Sequence, residues 1–361
     1  MTEPTGFDQS RYRKQMLFHG VGTSGQAALK DSRVLLVGCG ALGCVLADAM
    51  VRAGVGFLRI ADRDFVELSN LQRQSLFTEA DVNAHLPKAI AAVQRLRQVN
   101  SEIEIDPVVT DVNHNCIRDL AVGMHLILDG TDNFEIRYLI NDLSLETGIP
   151  WIFTGCTGSH GQMMPVFPHV SGCLRCLMPE APPPGSTETC DTAGVLGPAI
   201  GTIASLQAAM ALRILIASAT ASSPEDVCQL SGVPLKLTIV DVWDLNFRQI
   251  DVSGLRSSGR CPACHQGERR WLNGSQSTGS TVLCGRNAVQ VTPPNRLTLS
   301  LAELEQRLAG SGRVTRNAFL LRLSLPDTDS ELTVFPDGRA IIRGTEDPAV
   351  ARALYSRYIG S

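Results

Sequence analysis

The sequence predicts an α/β protein: a Rossmann-like, mostly parallel sheet with flanking helices, a Cys₄ zinc site and a small C-terminal α+β domain. Short, wholly apolar strands such as Arg33–Val37 alternate with helical stretches, as in parallel sheets covered on both faces. A glycine-rich turn follows the first strand, and an acidic residue ends the second. From Arg269 the sequence becomes polar and rich in small residues, which indicates a linker before a second domain.

The composition is that of a protein with a sizeable apolar core, since 44% of the 361 residues are hydrophobic and 19% charged. A formal net charge of −4 gives no concentrated basic face, so we expect no nucleic-acid partner. The N-terminus lacks the apolar segment of a signal peptide, and eleven cysteines without one indicate a reducing compartment. The apolar stretch 196–212 is interrupted by proline, glycine and glutamine. We therefore expect a buried helix over 198–217, no membrane partner and a cytoplasmic protein.

The first βαβ unit carries a nucleotide-binding pattern. Gly38, Gly40 and Gly43 form a GxGxxG turn between the first strand and its helix, and Asp62 follows the second strand. Glycines allow a tight turn and bring backbone N–H groups close to phosphates, while the acid can accept hydrogen bonds from ribose hydroxyls. A second interpretation stays open, in which the glycines serve only helix–sheet packing.

A dense polar run from Asp64 to Gln74 follows this unit. Asn70 and Arg73 within it are residue types that bind phosphate oxygens, Arg in a bidentate manner. A dehydrogenase would usually continue into another helix here, so the run favours a nucleotide that is consumed, although a surface loop is the alternative. Lys88 begins the next predicted helix, where its charge opposes the helix dipole. That position suggests a function for the ammonium group, such as holding a phosphate.

A later strand, predicted over 125–128, ends in the sequence DGTDN, which contains Asp132. Acids at the carboxyl end of a parallel strand lie where such sheets bind ligands. Asp132 could hold Mg²⁺ there, because magnesium uses one or two carboxylates together with substrate phosphates. A plain N-cap of the following helix is the alternative for the same residue.

The cysteines suggest two further features. Two CxxC pairs, Cys173/Cys176 and Cys261/Cys264, have the spacing of metal or redox sites, and we favour a closed tetrahedral Cys₄ zinc site. Cys190 ends a loop over 179–190 that is rich in Pro, Gly, Ser and Thr and is predicted to be exposed. A thiol just before a helix suits nucleophilic chemistry, although an incidental exposed cysteine is the alternative.

The predicted domain organisation is a main domain over 1–268, a linker over 269–284 and a small domain over 285–361. Residues 218–234 are predicted to be a loop in the main domain. We expect the small domain to support carrier docking or a dimer, since it shows no catalytic pattern. The remaining predicted elements are strands over 57–61, 103–109, 150–153, 161–167, 237–242, 287–291, 319–325, 331–335 and 340–343, and helices over 89–99, 301–308 and 348–358.

Taken together, these patterns resemble the bacterial ubiquitin-activating-type adenylyltransferases, the family of ThiF and MoeB. The match runs from Arg11 to His265, and the C-terminal part resembles the tail of the longer ThiF-type members. Several motifs in the same order carry the resemblance: RYxxQ, GxGxxG, SNLQRQ, PK, TDN, TC before an apolar helix, and two CxxC pairs.

The resemblance implies that ATP and the Gly-Gly carboxylate of a ubiquitin-fold sulfur carrier, ThiS- or MoaD-like, react to a carrier acyl-adenylate and pyrophosphate. The step would serve sulfur transfer in thiamine or molybdopterin biosynthesis, with a cysteine desulfurase or another sulfur donor as a further partner. Asp62 would hold the ribose, and Asp132 would bind Mg²⁺. The nucleotide-binding set that the resemblance implies is Lys14, Gly38, Gly40, Gly43, Asp62, Asp64, Asn70, Arg73, Gln74, Lys88 and Asp132.

The catalytic residues implied are Arg73, Lys88 and Asp132, with Cys190 at a thiol position whose role in the family ranges from covalent sulfur transfer to dispensable. An N-terminal arginine of these enzymes reaches the partner subunit's ATP, so a homodimer is implied. Lys14 occupies its position here, and Arg13 is the alternative. Three other functions are weighed beside this one: adenylation of a peptide or tRNA-bound acid, NAD(P)-dependent oxidoreduction, and a zinc-stabilised scaffold without turnover.

Overall fold

The computed structural model describes residues 9–182, 193–276, 280–283, 287–293, 297–326 and 330–360. The chain divides into two compact units, Met1–Ser275 and Gln276–Ser361, and each is described by itself. Cys190 and the rest of 183–192 lie outside the described residues.

The first unit is built on an eight-stranded sheet with the order β3-β2-β1-β4-β5-β6-β7-β8. The pairs from β3 to β5 are parallel, and the pairs from β5 to β8 are antiparallel. The mostly parallel sheet is therefore confirmed, with an antiparallel extension on one side. The strands are β1 (Arg33–Val37), β2 (Phe57–Asp62), β3 (Glu104–Val109), β4 (Leu126–Asp129), β5 (Trp151–Thr157), β6 (His160–Val166), β7 (Lys236–Asp241) and β8 (Asn246–Asp251).

Alternate residues of the central strand β1 enter two separate cores. Val34 and Leu36 pack with one set of helices, and Leu35 and Val37 pack with another, all of them at most 1% exposed. Burial on both faces explains why the strand is apolar after its first residue, Arg33, which is only partly buried. The helices are α1 (Gln9–Met16), α2 (Gly22–Lys30), α3 (Ala41–Ala53), α4 (Glu79–Asn83), α5 (Lys88–Val99), α6 (Ile117–Ala121), α7 (Phe134–Thr147), α8 (Leu174–Leu177), α9 (Gly197–Ser218) and α10 (Pro224–Ser231).

The predicted apolar helix is α9, which has 22 residues and lies in the first core with α2, α3 and α5. It is long and apolar enough to cross a membrane by composition alone, but 56% of its apolar window is buried inside the protein. Its Gln207 side chain is completely buried and donates to the Asp129 carbonyl at 3.2 Å. The helix thus packs as part of the core.

The short helices α4, α6 and α8 were not predicted, and two further departures from the sequence-based expectation in the first unit have a clear physical cause. The predicted loop 218–234 is wrong, because it contains α10, which begins at Ser223 with a side-chain cap on the Asp226 N–H and ends at Gly232 in the left-handed conformation. The polar composition of this segment hid a short, half-exposed helix. The strand β8 was not predicted either, since all its residues are exposed and only its pairing with β7 defines it.

The second unit is a six-stranded antiparallel sheet with the order β11-β12-β13-β14-β10-β9. Leu301, Leu304 and Leu308 of its first helix pack on the apolar face of this sheet, so a separate core holds the unit together. The first of its strands lies within the stretch predicted as a linker. The elements are β9 (Ser280–Leu283), β10 (Ala288–Val291), α11 (Leu301–Leu308), β11 (Arg313–Arg316), β12 (Leu321–Ser324), β13 (Glu331–Val334), β14 (Ala340–Arg343) and α12 (Pro348–Tyr358).

Candidate active site and metal centre

The candidate active site lies at the carboxyl edge of the parallel strands. The strand order reverses between β1 and β4, so the loops that follow these two strands diverge and leave a crevice. Gly38–Gly43 follows β1, and Asp129–Asn133 ends β4 and leads into α7. The structure therefore brings the GxGxxG turn and the TDN sequence to the same edge.

The glycine turn requires the absence of side chains. Gly38 has a φ of +86°, and a Cβ atom there would lie 2.9 Å from the Gly130 carbonyl oxygen. A Cβ atom on Gly43 would lie only 2.2 Å from the Gly38 carbonyl oxygen. Gly40 occupies the N-cap position of α3 without a capping side chain. The turn thus packs closely on the loop after β4 and leaves the N-terminus of α3 available to an anion.

Asp62, at the end of β2, is tied to the glycine turn. Its two carboxylate oxygens accept hydrogen bonds from the Cys39 and Asp64 backbone N–H groups, each at 2.6 Å. Burial raises the pKa of Asp62, and the nearby Lys88 ammonium opposes that rise. The residue expected to hold a ribose therefore also fixes the backbone of the turn.

Lys88 begins α5 and is only 4% exposed. Its Nζ atom lies 3.0 Å from Asp64 Oδ2, and its backbone N–H donates to the Asp64 carbonyl at 2.9 Å. A lysine in the first turn opposes the helix dipole, but the adjacent carboxylate offsets that cost. The pair places a buried ammonium group beside Asp62 at the carboxyl edge.

The polar run is partly buried, which excludes a purely solvated surface loop. Asn70 is 3% exposed and its side chain accepts from the Glu67 N–H at 3.0 Å, closing a capping box. Arg73 is half-buried and donates to the Ser69 carbonyl at 3.0 Å. Gln74 is 3% exposed, and within the described chain its Oε1 atom has no hydrogen-bond partner.

The position of Gln74 indicates where a ligand would bind. Its Nε2 atom is the nearest group to a Cβ atom built on Gly40, at 3.9 Å. A buried amide oxygen without a partner is costly and calls for an explanation such as a bound molecule. Because the Gln74 side-chain amide lies beside the glycine turn, a molecule bound at this turn could donate a hydrogen bond to its Oε1 atom.

Asp132 is exposed, and among the described residues it forms no hydrogen bond or ion pair. The N-cap alternative for this residue is wrong, because Asn133 caps α7 by accepting from the Glu135 N–H at 2.8 Å. Asp132 is thus free to coordinate a hard cation, for which carboxylate oxygen is the preferred ligand.

The buried acid of this loop is Asp129, which sequence reasoning did not single out. Its carboxylate accepts from the backbone and hydroxyl of Thr131 and forms an ion pair with Arg137 Nε at 3.1 Å. Burial raises the pKa of Asp129, and Arg137 opposes the rise. Arg137 belongs to α7 and also donates to the Thr131 carbonyl at 2.7 Å, so the pair fixes the loop that carries Asp132.

Lys14 is not brought to this edge. It is exposed on α1, which is anchored by a hydrogen bond from Asn100 to the Tyr12 hydroxyl at 2.7 Å and from Gln15 to the Ala53 carbonyl at 2.9 Å. Ala53 and Asn100 lie at the C-terminal ends of α3 and α5, and those ends face away from the carboxyl edge of the strands. Within one chain, Lys14 is separated from the other predicted nucleotide residues.

The four predicted metal ligands do converge. The Sγ atoms of Cys173, Cys176, Cys261 and Cys264 all lie within 4.8 Å of one another. Three of the separations are 3.9, 3.7 and 3.4 Å, for the pairs Cys173–Cys176, Cys173–Cys261 and Cys176–Cys264. A tetrahedron with Zn–S bonds of about 2.3 Å has sulfur atoms about 3.8 Å apart. The cluster therefore has the size of a Cys₄ zinc site, and disulfide S–S distances of about 2 Å do not occur.

Buried side chains of α7 hold the two cysteine loops. Asn141 accepts from the Leu174 N–H at 2.8 Å, next to the first CxxC pair. Asp142 accepts from the Trp271 N–H at 3.0 Å, beyond the second pair. The hydrogen bond to Cys173 and burial raise the pKa of Cys261 to about 12, so a cluster of thiolates at neutral pH requires a cation.

These features define a class. The chain is an α/β protein with a GxGxxG turn at the switch point of its sheet and a separate Cys₄ centre that can hold a metal. The ThiF family model matches residues 12–263, and the chain belongs to the ThiF family.

Two curated relatives show how far the similarity extends. The chain is 39% identical to the sulfur carrier protein ThiS adenylyltransferase of Bacillus subtilis, over 97% of this chain and 99% of that protein. It is 35% identical to the sulfur carrier protein ThiS adenylyltransferase of Escherichia coli, over 71% of this chain and 95% of that protein. The alignment with the Bacillus protein therefore includes the second unit, whereas the Escherichia coli protein is matched over a shorter stretch.

Solved structures agree on the fold. The microcin C7 biosynthetic enzyme MccB, solved in complex with N-formylated MccA, has a TM-score of 0.57. The similarity covers 72% of this chain and 76% of the MccB chain, at 20% sequence identity. At this identity the likeness describes the fold alone.

Proposed function

We propose that this protein adenylates the C-terminal Gly-Gly carboxylate of a ubiquitin-fold sulfur carrier protein at the expense of ATP. The observation that carries the proposal is that the glycine turn, Asp62, the Lys88–Asp64 pair and the Gln74 amide lie together at one edge of the sheet. Similarity over nearly the full length to a ThiS adenylyltransferase supports the choice of substrate.

In the proposed reaction a carboxylate oxygen of the carrier attacks the α-phosphorus of ATP. The bond from this phosphorus to the oxygen that bridges to the β-phosphate breaks, and pyrophosphate leaves. Two anions must approach each other, so the chief requirement is positive charge at fixed positions. No general base is needed, because the attacking carboxylate is already ionised.

The residues at the edge divide this work among them. Asp62 would accept from the ribose hydroxyls, while the turn Gly38–Gly43 and the N-terminus of α3 would lie against the phosphates. Lys88 and Arg73 would bind the phosphate oxygens, the first as a buried point charge and the second as a planar fork. Gln74 would direct its unpartnered Oε1 atom, and Asn70 its amide, toward the nucleotide.

Asp132 would hold Mg²⁺, which when bound neutralises charge on the phosphates. The exposure of its carboxylate and its lack of a partner in the described chain support this assignment. Zinc is the metal we propose for the Cys₄ centre, because four sulfur ligands at this spacing suit a closed structural site. The centre lies at the far part of α7 from Asp132 and takes no part in the chemical step.

The separation of Lys14 from the nucleotide residues supports a homodimer in which α1 of one subunit serves the site of the other. Lys14 would supply the charge, with Arg13 as the alternative, since both are exposed on α1. A thiol role of Cys190 in sulfur transfer, the sulfur donor, the choice between the thiamine and molybdopterin pathways and the cytoplasmic location stay predictions. The same holds for the domain boundaries at 268 and 285.

The test is exchange of labelled pyrophosphate into ATP, measured with each Gly-Gly-ended carrier of the same organism. We expect exchange that depends on one such carrier, and a loss of about 10²- to 10³-fold in Arg73→Ala. Arg52→Ala is the matched control, because Arg52 is an exposed arginine paired only with Asp48 on α3.

Other results would point to other functions. Exchange with a peptide or a tRNA-bound acid and none with a carrier would replace the substrate. Hydride transfer with NAD(P) would replace the reaction class, and ATP binding without any exchange would indicate a scaffold. Undiminished exchange in Arg73→Ala would remove the central assignment.

A further inference from the structure

Arg63 lies between the two acids of β2's end, Asp62 and Asp64, and neither the sequence patterns nor the proposed reaction assign it a role. Its side chain is 24% exposed and points along the carboxyl edge of the sheet. Its Nη1 atom lies 2.8 Å from Asp111 Oδ1, and its Nε atom lies 3.8 Å from Asp64 Oδ1. Asp111 follows β3, so Arg63 connects the ends of two neighbouring strands.

The same guanidinium is linked to the buried lysine. Asp64 uses Oδ1 toward Arg63 and Oδ2 toward Lys88, whose Nζ atom is 3.0 Å away. The result is a chain of alternating charges: Lys88, Asp64, Arg63, Asp111. Because Asp64 is shared, the position of the Lys88 ammonium group depends on where Arg63 holds that carboxylate.

Arg63 also faces acids on the other side of the crevice. It interacts electrostatically with Asp132, the acid at the end of β4, and with Glu135 in the first turn of α7. Burial raises the pKa of Glu135, and Asp111 adds to this rise while Arg63 opposes it. Four carboxylates, those of Asp64, Asp111, Asp132 and Glu135, therefore interact electrostatically with the Arg63 guanidinium.

We propose that Arg63 is a positioning residue of the adenylation reaction: it fixes Lys88 through Asp64 and occupies Asp111, so that Asp132 alone recruits the metal ion. The proposal rests on the proposed function. Arginine suits this task because it stays charged at all relevant pH values and binds two groups at once with its planar fork.

Loss of the Arg63 charge should raise the affinity for divalent metal and lower the exchange rate. In Arg63→Gln the carboxylates lose their cation, so divalent metal should bind more tightly to the nucleotide-free protein, by threefold or more. The Lys88 ammonium group should be less well placed, so carrier-dependent exchange should fall by tenfold or more. Damage to the fold alone would weaken metal binding and exchange together.

The metal measurement uses Mn²⁺ alone, titrated into the full-length protein and followed by the electron paramagnetic resonance of the free ion. Arg63→Gln should bind Mn²⁺ more tightly than wild type, and Arg63→Gln/Asp111→Asn should return toward the wild-type affinity. Arg63→Lys should keep the wild-type Mn²⁺ affinity yet lose part of the exchange rate, because a lysine cannot contact both acids with a fixed fork.

Arg59→Gln is the matched control. Arg59 is on β2, which ends one residue before Arg63; its side chain is 22% exposed and pairs with Asp106 of β3 at 2.7 Å, but it lies away from the carboxyl edge. It should change neither Mn²⁺ binding nor exchange. Melting temperatures of all variants establish that each is folded. If Arg63→Gln does not fold, the loss of exchange expected for Arg63→Lys tests the proposal in its place.

Unchanged or weaker Mn²⁺ binding in Arg63→Gln would overturn the proposal, as would full exchange activity in that variant. These outcomes are separate from a failure of the proposed function. If wild type catalyses no carrier-dependent exchange, the adenylation assignment fails, whereas the Mn²⁺ titration needs neither carrier nor turnover and reports on Arg63 by itself.

Discussion

The carboxyl edge of the parallel strands and the Cys₄ cluster, both in the first unit, are assembled in opposite ways. The edge collects charged and amide side chains from the ends of three strands. Among the described residues, the buried Gln74 Oε1 atom and the exposed Asp132 carboxylate accept no hydrogen bond. The cluster collects four thiols within 4.8 Å of one another, and the side chains of Asn141 and Asp142 hold its loops by accepting backbone hydrogen bonds from Leu174 and Trp271.

From this difference we expect the edge to bind a ligand and the cluster to join parts of the fold. Residues at the edge should contribute to activity and little to the free energy of unfolding. Residues of the cluster should contribute to that free energy and nothing to the chemical step. The four predictions below test this division.

Loss of the metal from the Cys₄ cluster should have the largest effect. Cys261→Ser, or removal of the metal by a chelator, should lower the melting temperature by about 10 °C or more, since structural zinc contributes folding free energy directly. Differential scanning calorimetry combined with metal analysis checks this. Cys228→Ser on α10 is the control, because Cys228 lies outside the cluster. Equal melting with and without bound metal would contradict a structural centre.

Asp132→Asn should show the opposite behaviour, a large loss of activity with little loss of stability. We expect pyrophosphate exchange to fall by about 10²- to 10³-fold with little change in melting temperature, because the carboxylate is exposed and forms no hydrogen bond or ion pair with the described residues. Steady-state exchange and calorimetry on the same samples measure both quantities. The exposed Asp119 of α6 gives the control, Asp119→Asn. A large drop in melting temperature would show that Asp132 is structural after all.

Gly43→Ala should reduce both the activity and the free energy of unfolding, each to an intermediate degree. The added methyl group would lie 2.2 Å from the Gly38 carbonyl oxygen, so the turn must shift. We expect the KM for ATP to rise about tenfold and the free energy of unfolding to fall by about 1–3 kcal/mol. Gly201→Ala on α9 is the control, since nothing lies within 4 Å of its added carbon. Equal behaviour of the two variants would argue against a close-packed turn.

The smallest predicted effect is a pH dependence at Asp62. Burial raises its pKa, so acidification protonates it at a higher pH than an ordinary aspartate. The protonated acid accepts poorly from the Cys39 N–H and from a ribose, so ATP binding should weaken as pH falls through that raised pKa. The contribution of Asp62 to folding has the opposite sign: the folded state binds the proton more tightly than the unfolded state, so this group stabilises the fold on acidification.

Calorimetric titration of ATP into wild type and Asp62→Asn over a pH series checks this prediction. Wild-type affinity should fall on the acid side, while the affinity of Asp62→Asn should be lower throughout and lack that dependence. Parallel pH curves for the two proteins would assign the titration to another group. Melting temperatures across the same series test the opposite sign expected for stability.

Much of the fold was predictable because buried strands and helices produce regular patterns of apolar residues in the sequence. The central strands β1 and β4 are buried on both faces, and each parallel strand lies within a few residues of its predicted range. Segments without a regular pattern of apolar residues were not predicted. The strand β8 has no buried residue, and α10 depends on local capping by Ser223, which a loop-like composition conceals.

The candidate site was predictable in its parts and not in its contacts. The types and order of Asn70, Arg73 and Lys88 suggested phosphate chemistry. The ion pair between Asp129 and Arg137 was not visible, because its members are eight positions apart and only the fold of the β4–α7 loop brings them together. Arg63 was missed for the same reason, since its partner Asp111 follows the neighbouring strand β3 and is 48 positions away in the chain.

By itself, the sequence determined the fold class, the glycine turn and the four cysteines, because each depends on residue type and local spacing. Only the tertiary structure decided which acids are buried, bridged or free. Asp62, Asp129 and Asp132 all follow strands in the sequence, yet two are buried acceptors of backbone hydrogen bonds and the third is exposed. Burial and partner geometry depend on neighbouring strands, and these are distant in the chain.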